Sequence, residues 1–112
     1  MISKIFNILK SINIDAYYQE CTNKTDEYVV YSIYQEKDAE VADNKSRATL
    51  YYITINYWYK KDNRLLADKY KEIKNMMKSN GYKFDGCIDL IGETHFGKNM
   101  DFKIKIWNED SN

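Results

Sequence analysis

Residues 49–59 read TLYYITINYWY, an alternating run of β-branched and aromatic side chains that predicts a β-strand. Successive side chains of a strand point to opposite faces. The odd-numbered face would carry Tyr51, Ile53, Ile55, Tyr57 and Tyr59, and the even-numbered face Leu50, Tyr52, Thr54, Asn56 and Trp58. The first face suits a hydrophobic core. The second face is too aromatic to be purely solvated, so we expect it to be a contact surface.

A second strand is predicted upstream, at residues 28–34, which read YVVYSIY. Both of its faces are apolar, which suits a strand covered on both sides, by the protein's own helices or by a partner. Residues 36–46, EKDAEVADNKS, separate the two strands and are charged and without periodicity. We expect a loop there. It would be longer than the usual hairpin connection of about two to five residues, and such loops are often functional.

Two amphipathic helices are predicted outside these strands. The apolar stripe of the first consists of Ile2, Ile5, Phe6, Leu9 and Ile12. The second helix is expected to begin at Asp62 or Asn63, either of which can cap its N-terminus, and to end at Gly81. Its apolar side carries Leu66, Tyr70, Ile73 and Met77. Residues 15–26, which are mostly polar, predict a connection between the first helix and the first strand.

Two more strands are predicted after the second helix. In residues 82–91 one face carries Tyr82, Phe84, Ile88 and Leu90. A turn at residues 97–99 is expected to lead into the last strand. The inward-facing residues of that strand would be Met100, Phe102, Ile104 and Ile106. The two strands are expected to pair as a hairpin.

The predicted fold class is α+β, with the order helix, strand, strand, helix, strand, strand. Two hairpins and two helices form an antiparallel or mixed four-stranded sheet with both helices packed on one face. The chain, residues 1–112, has the length of a single domain. A domain of this size buries roughly two-thirds of the surface of its unfolded chain and needs no disulfide or metal to fold.

The charge balance argues against a protein that binds nucleic acid through phosphates. There are 17 basic and 17 acidic residues, whereas phosphate binding normally requires a basic excess. The two cysteines, Cys21 and Cys87, are far apart and form no CxxC pattern, which predicts reduced thiols in a cytosolic setting. The N-terminal residues have no continuous apolar run, so neither a signal peptide nor a membrane span is expected.

The residues that could carry chemistry form no recognisable catalytic motif. His95 is the only histidine, and neither Cys87 nor Cys21 lies in a nucleophile motif beside it. Alternate positions in residues 85–95 offer metal-ligand types, but strand neighbours two apart are separated by roughly 6.6 Å, too far to converge on one ion. No glycine-rich phosphate loop is present. We therefore predict no catalytic residue, no metal and no cofactor, and do not expect an enzyme.

Taken in order, these segments resemble a known family. A short N-terminal helix precedes the tyrosine-rich strand at residues 28–34, and a polar loop containing Ala42, Asp43 and Asn44 follows. The long aromatic strand, a helix ending in NGY at residues 80–82 and a hairpin through THF at residues 94–96 complete the series. The layout resembles, over nearly the whole chain, the tail terminator or tail completion proteins of phages and prophages of low-GC Gram-positive bacteria.

This resemblance implies a structural virion subunit. Such proteins form a hexameric ring that caps the phage tail tube, ends its polymerisation and gives the head–tail connector a docking surface. The implied partners are further copies of the chain, the tail tube protein and the connector protein. DNA would pass through the ring without sequence-specific binding. The implied location is the tail of the virion, after assembly in the host cytoplasm.

The family offers no active site to transfer, so the candidate contact residues follow from physical chemistry. They are the aromatic residues Tyr52 and Trp58 and the charged residues of the predicted loop, Asp38, Glu40, Asp43, Lys45 and Arg47. Two other functions fit the same sequence. One is another connector or neck subunit of the phage. The other is a cytosolic protein-binding module such as an immunity protein, although the net charge of zero is unlike the acidic surfaces that steer binding to basic nucleases.

Overall fold

A computed structural model describes residues 1–108 of the chain, and residues 109–112 of the predicted domain lie outside the described part. The helices are α1 (Ile2–Ser11) and α2 (Tyr70–Ser79), with a 3₁₀ turn at Arg64–Leu66. The strands are β1 (Ala16–Tyr18), β2 (Glu27–Ala42), β3 (Lys45–Lys60), β4 (Lys83–Ile91) and β5 (His95–Trp107). They form one sheet in the order β1-β2-β3-β5-β4.

The predicted α+β class is confirmed, but the sheet has five strands instead of four. Residues 15–26, predicted as a connection, contain the short strand β1, which pairs in parallel with β2 through Ala16↔Val29 and Tyr18↔Tyr31. The other neighbouring strands are antiparallel, so the sheet is mixed. Tyr17 and Tyr18 were the only sign of pairing in this stretch, and three residues are too few to give a periodic pattern that predicts a strand.

The core lies between the helices and the face of the sheet that carries Ile53, Ile55 and Tyr57, as predicted for β3. From α1 it receives Ile5, Ile8 and Leu9, and from α2 Ile73 and Met77. Ile2 and Phe6, which were predicted to lie on the apolar stripe of α1, are instead exposed. They border a shallow groove of about 600 Å³ beside β1.

The second helix begins later than predicted and ends as predicted. Asn63 precedes the 3₁₀ turn, and α2 starts only at Tyr70 without a side-chain cap. At the other end Gly81 has a φ of +93°. Its N–H donates to the Lys78 carbonyl at 3.1 Å, and the N–H of Tyr82 donates to the Met77 carbonyl at 3.1 Å. These are the two hydrogen bonds of a Schellman motif, which requires the left-handed conformation that glycine adopts without strain.

The predicted loop at residues 36–46 is wrong, because these residues extend β2 and β3. Their pairing runs out to Ala42↔Lys45, and Asp43 and Asn44 form the two-residue turn with φ of 53° and 60°. Two positive φ values are the mark of a type I′ hairpin turn, which asparagine and aspartate tolerate. A hairpin exposed on both faces needs no apolar alternation, and so the sequence lacked the usual signal for strands.

We call residues 36–50 the arm. The hydrophobic core cluster takes no residue from this part of the described chain. The molecule measures 55 × 24 × 24 Å, with a radius of gyration of 15.6 Å. A compact domain of this length would have a radius of gyration of about 13 Å. The arm therefore projects from a small, helix-covered body.

The predicted turn at residues 97–99 is also wrong. The actual connection between β4 and β5 is residues 92–94, closed by a hydrogen bond from the Gly92 N–H to the His95 carbonyl at 2.8 Å. Gly97 lies inside β5, opposite Trp58. A Cβ atom at this position would lie 2.8 Å from Cε3 of the Trp58 ring. The glycine thus provides room for the indole and does not make a turn.

A β-bulge in β4 reverses the predicted faces from Gly86 onward, whereas Tyr82 and Phe84 face the core as predicted. The register shifts between Phe84 and Gly86, so that Cys87 pairs with Met100 on the core side. Ile88 pairs with Asn99 and is 63 % exposed, although it was predicted to share the inward face with Phe84. In β5, Met100 and Phe102 are buried as predicted, whereas Ile106 is exposed because it pairs with Thr49 of the arm.

We expect Gly97→Ala to lower the free energy of unfolding by about 1–3 kcal/mol, because the new methyl group would overlap the Trp58 ring. Urea unfolding followed by far-UV circular dichroism measures the change. The control is the same substitution in a Trp58→Leu background, where the smaller side chain leaves room for the methyl group. An equal loss in both backgrounds would refute this account of Gly97.

Candidate interaction surfaces

The sheet face opposite the helices is the first candidate, and we call it the open face. Residues on one rung of an antiparallel pair share a face, so the register defines its members. From β3 and β5 they are Tyr52, Thr54, Asn56, Trp58, Asn99, Asp101, Lys103 and Lys105. Both helices join the core on the other side, and within residues 1–108 no helix covers the open face.

The centre of the open face is polar and internally satisfied. The Asn99 side-chain amide donates to the Thr54 hydroxyl at 2.7 Å and to the Asn56 side-chain carbonyl at 2.6 Å. These bonds tie β5 to β3 and occupy groups that would otherwise be available to a partner. Any aromatic contact surface on this face is therefore limited to its two ends.

At the end far from the arm, Trp58 packs against its own chain. Its indole lies over Gly97 and beside Gly92, and it is only partly exposed. Tyr28 is the partner of Trp58 across the strand pair, and its ring meets the His95 ring edge-on at 5.4 Å. The structure thus gives Trp58 an intramolecular packing role, and its predicted contact with another protein has little free surface to use.

His95 is buried, with 5 % of its surface exposed, and both ring nitrogens have partners. Nε2 lies 2.8 Å from the Thr25 carbonyl, which can only accept, so Nε2 carries the proton. Nδ1 then accepts from the Thr94 hydroxyl at 2.7 Å. The imidazole joins the segment before β2 to the β4–β5 turn.

The residues weighed for chemistry do not come together. Cys87 lies opposite Met100, and His95 is five residues earlier on β5, a separation of roughly 16 Å at about 3.3 Å per residue. Burial raises the pKa of the Cys87 thiol, which opposes formation of a thiolate. Among the described residues no group of three or more His, Cys, Asp and Glu side chains is arranged to hold a metal ion.

At the end near the arm, the open face carries exposed aromatic rings with lysines over them. The rings of Tyr34 and Tyr52 are 6.0 Å apart, and the Lys37 ammonium lies 5.5 Å from the centre of the Tyr52 ring. The Lys105 ammonium lies 5.4 Å from the Trp107 ring and donates to the Glu40 carboxylate at 2.6 Å. Tyr52 is thus placed where a partner could reach it.

The five charged residues predicted as contacts all lie in the arm and are exposed: Asp38, Glu40, Asp43, Lys45 and Arg47. The structure places them with Tyr52 and away from Trp58. Tyr52 and Trp58 are six positions apart on β3, a distance of roughly 20 Å. The predicted set therefore divides into a surface at the arm and one residue packed at the other end.

Two exposed aliphatic side chains on the outer strand β4 were missed by the sequence analysis. Ile88 and Ile91 are 63 % and 79 % exposed. Gly86 could have predicted this exposure. An isolated glycine inside a strand pattern often marks a bulge, and a bulge changes which residues face outward.

A half-buried charged cluster fixes the base of the hairpin. The Tyr57 hydroxyl donates to Oε2 of Glu27 at 2.6 Å, and the Lys69 ammonium donates to Oε1 of the same carboxylate at 3.1 Å. Glu27 is on β2, Tyr57 on β3 and Lys69 just before α2, so one carboxylate joins three elements. Burial and then the bond to Glu27 raise the pKa of Tyr57 far above its ordinary value.

The raised pKa of Tyr57 predicts loss of stability at high pH. The fold favours the neutral phenol, so its contribution is complete below the unfolded value of 10.0 and declines as the pH rises above it. Burial also raises the pKa of Tyr28, Tyr31 and Tyr82. Urea midpoints should therefore fall steeply above pH 10.

Tyr57→Phe separates this effect from general alkaline damage. The variant should lose about 1.5–3 kcal/mol at neutral pH, because a hydrogen bond to a charged group is removed. It should also show a smaller further loss above pH 10 than the unaltered chain. Equal slopes of stability against pH for the two proteins would contradict the assignment.

The described residues contain no helix that is both long enough and apolar enough to cross a membrane. No protein-family model matches the chain, and a search of curated proteins finds no significant match.

Proposed function

We propose that this chain is a structural subunit that works through protein–protein contacts, as a tail terminator that closes into a hexameric ring on the end of a phage tail tube. The ring stops further addition of tube subunits and offers a docking surface to the head–tail connector. It carries no catalysis of its own. The observation that supports this proposal is the arm.

The arm contributes little to the stability of an isolated subunit. A two-stranded hairpin is marginally stable in water by itself, because it buries little apolar surface against the entropy of ordering its backbone. The pairing of β3 with β5 reaches Ala48, and beyond it the arm is a two-stranded hairpin with exposed charged residues that adds nothing to the core cluster formed by the described residues. Contact with another protein would supply the missing burial and account for its length.

Ring closure fits a capping function for a geometric reason. A contact between two different surfaces of identical subunits repeats indefinitely unless the rotation between neighbours closes a ring. A closed ring has a fixed number of subunits, and its two sides differ. One side can bind the end of the tube, while the other side does not bind a further ring of tube subunits.

The even charge balance supports passive passage of DNA rather than binding. With 17 basic and 17 acidic residues, the chain has no overall attraction for phosphate. Two of the lysines on the open face near the arm are partly neutralised, since Lys105 is bound to Glu40 and Lys103 lies 3.8 Å from Asp85. A ring of such subunits would let DNA through without holding it.

The test uses an arm-shortened variant in which Asn-Gly replaces residues 40–47. Ala39 and Ala48 are direct partners, so a two-residue turn between them keeps the register of the remaining hairpin. We expect the unaltered chain to form rings with the cognate tube protein and to stop tube elongation, as seen by light scattering and negative-stain imaging. The shortened variant should do neither.

The stability of the shortened variant is the control, because the deleted residues lie outside the core cluster. Its urea midpoint should stay close to that of the unaltered chain. Undiminished capping by a folded variant would overturn the role of the arm. Binding to the connector without binding to the tube would favour a neck subunit, and a monomer that binds neither would favour a protein-binding module of another kind.

A further inference from the structure

The sheet has two open edges on opposite sides. One is the outer side of β4, which is the last strand in the order β1-β2-β3-β5-β4. The other is the outer side of β2 along the arm, because β1 pairs only with Val29, Val30 and Tyr31. Within residues 1–108 no strand pairs with either edge. Backbone groups along such edges are open to pairing with another chain.

The two edges have compatible directions and lengths. β4 is antiparallel to β5, β5 to β3, and β3 to β2, so β4 runs antiparallel to β2. Through these registers β4 lies level with residues 27–35 of β2. A second copy in the same orientation, shifted along the strands by roughly 25 Å, would bring the arm part of its β2 against β4 as an antiparallel neighbour. The free part of β2 in the arm, residues 36–42, is slightly shorter than β4, which has 9 residues.

The charges of the two edges are opposite. Residues 36–43 contain four acidic residues and one lysine, and Lys105 of β5 is paired with Glu40. Counting this lysine, the arm side has a net charge of −2. Residues 70–91, which form α2 and β4, contain four lysines and three acidic residues. Two of those acids, Asp85 and Asp89, are paired with Lys103 and Lys98 of β5. Counting these two lysines, the β4 side carries six positive and three negative charges, a net charge of +3.

The lysines of α2 lie close to β4. The Lys74 ammonium is 4.4 Å from the centre of the Phe84 ring, and Lys71 and Lys78 are exposed on the same helix. They would face an acidic strand that paired with β4. Attraction between such surfaces acts over about 10 Å at 0.1 M salt, which orients the two copies before contact.

Exposed aliphatic side chains accompany both edges. Ile88 pairs with Asn99 and Ile91 with Phe96, so the two isoleucines lie on opposite faces of β4. On the arm, Val41 is 60 % exposed. Sheet edges that remain in water usually carry charges in place of such residues. A strand paired with β4 would place its own side chains beside Ile88 on one face and beside Ile91 on the other, and so would partly cover both.

We propose that the acidic edge of the arm, residues 36–42 of β2, adds to β4 of a neighbouring copy as an antiparallel strand. The contact joins two different surfaces of one chain, and its repetition generates the ring. The inference rests on the proposed function for the closure of that ring, but the strand addition itself can be tested alone.

Disulfide trapping tests the contact directly. In a background of Cys21→Ser and Cys87→Ser, one variant carries Val41→Cys in the arm and another carries Ile88→Cys in β4. Val41 pairs with Ser46 and Ile88 with Asn99, so both positions lie on the side of the open face. Cα atoms on adjacent antiparallel strands are about 4.5–5.5 Å apart, within the range of a disulfide. Glu36→Cys and Ile91→Cys serve as alternative positions, so that a shift in register does not hide the contact.

Random pairing in an equal mixture would give the arm–β4 disulfide in twofold excess over either homodisulfide, and we expect about twentyfold, a tenfold preference that corresponds to about 1.4 kcal/mol. The matched control is Lys10→Cys on the exposed surface of α1. A predominance of β4–β4 disulfides, or arm–β4 trapping no faster than with the control, overturns the proposal.

Charge reversal provides an independent measurement. Lys71→Glu with Lys78→Glu should abolish arm–β4 trapping, and Glu36→Lys with Asp38→Lys in the same chain should restore it. The cysteines stay at Val41 and Ile88 for this measurement, which leaves Glu36 and Asp38 free for substitution. Lys4→Glu with Lys10→Glu, which changes the charge equally on α1, should have no effect. Failure of the restored chain to regain trapping contradicts the charge pairing.

The outcomes separate this inference from the proposed function. Closed rings that cap tubes without arm–β4 disulfides would refute the strand addition and leave the terminator function standing. Arm–β4 disulfides in open-ended chains that never cap a tube would support the strand addition and refute the terminator function.

Discussion

The pairing of β2 with β3 is the interaction on which the rest of the structure depends. It runs from Glu27↔Tyr59 at the base to Ala42↔Lys45 at the tip, and β3 also carries β5 along its other side. Near the base this ladder presents Ile55 and Tyr57 to the helices and forms the core. Farther out the same ladder continues without a helix and becomes the arm. One pair of strands therefore supplies both the stable body and the projecting surface.

The two faces of the ladder serve different purposes because of what packs on them. On the core side, aliphatic and aromatic residues of β2, β3 and β5 meet α1 and α2, and the carboxylate of Glu27 joins three elements through Tyr57 and Lys69. The open face is held by hydrogen bonds at its centre and by the indole of Trp58 over Gly97 at one end. Its remaining exposed aromatic groups gather at the base of the arm.

The two open edges of the sheet carry the backbone groups and charges that a neighbouring chain could contact. Backbone groups on the outer sides of β4 and of the arm have no strand beside them in the described chain, and the two edges carry opposite net charge. Water can satisfy such groups in a free subunit, so the edges do not destabilise it. Pairing them would exchange bonds to water for bonds to a neighbour and bury Ile88 and Ile91. This exchange is the physical basis of the strand addition that we propose.

The sequence by itself determined the α+β class, the helix α1, the end of α2 at Gly81 and the buried face of β3, because each follows from local periodicity or local backbone chemistry. It also identified Tyr52 and the charged residues of the arm as candidate contacts, from their composition alone. Only the tertiary structure decided that residues 36–46 are strands, that Trp58 packs against Gly97 and that Ile88 is exposed. Periodicity reports which side chains one segment must bury, whereas register, bulges and free edges are set by pairing between segments far apart in the chain, and a shift of one residue reverses every face beyond it.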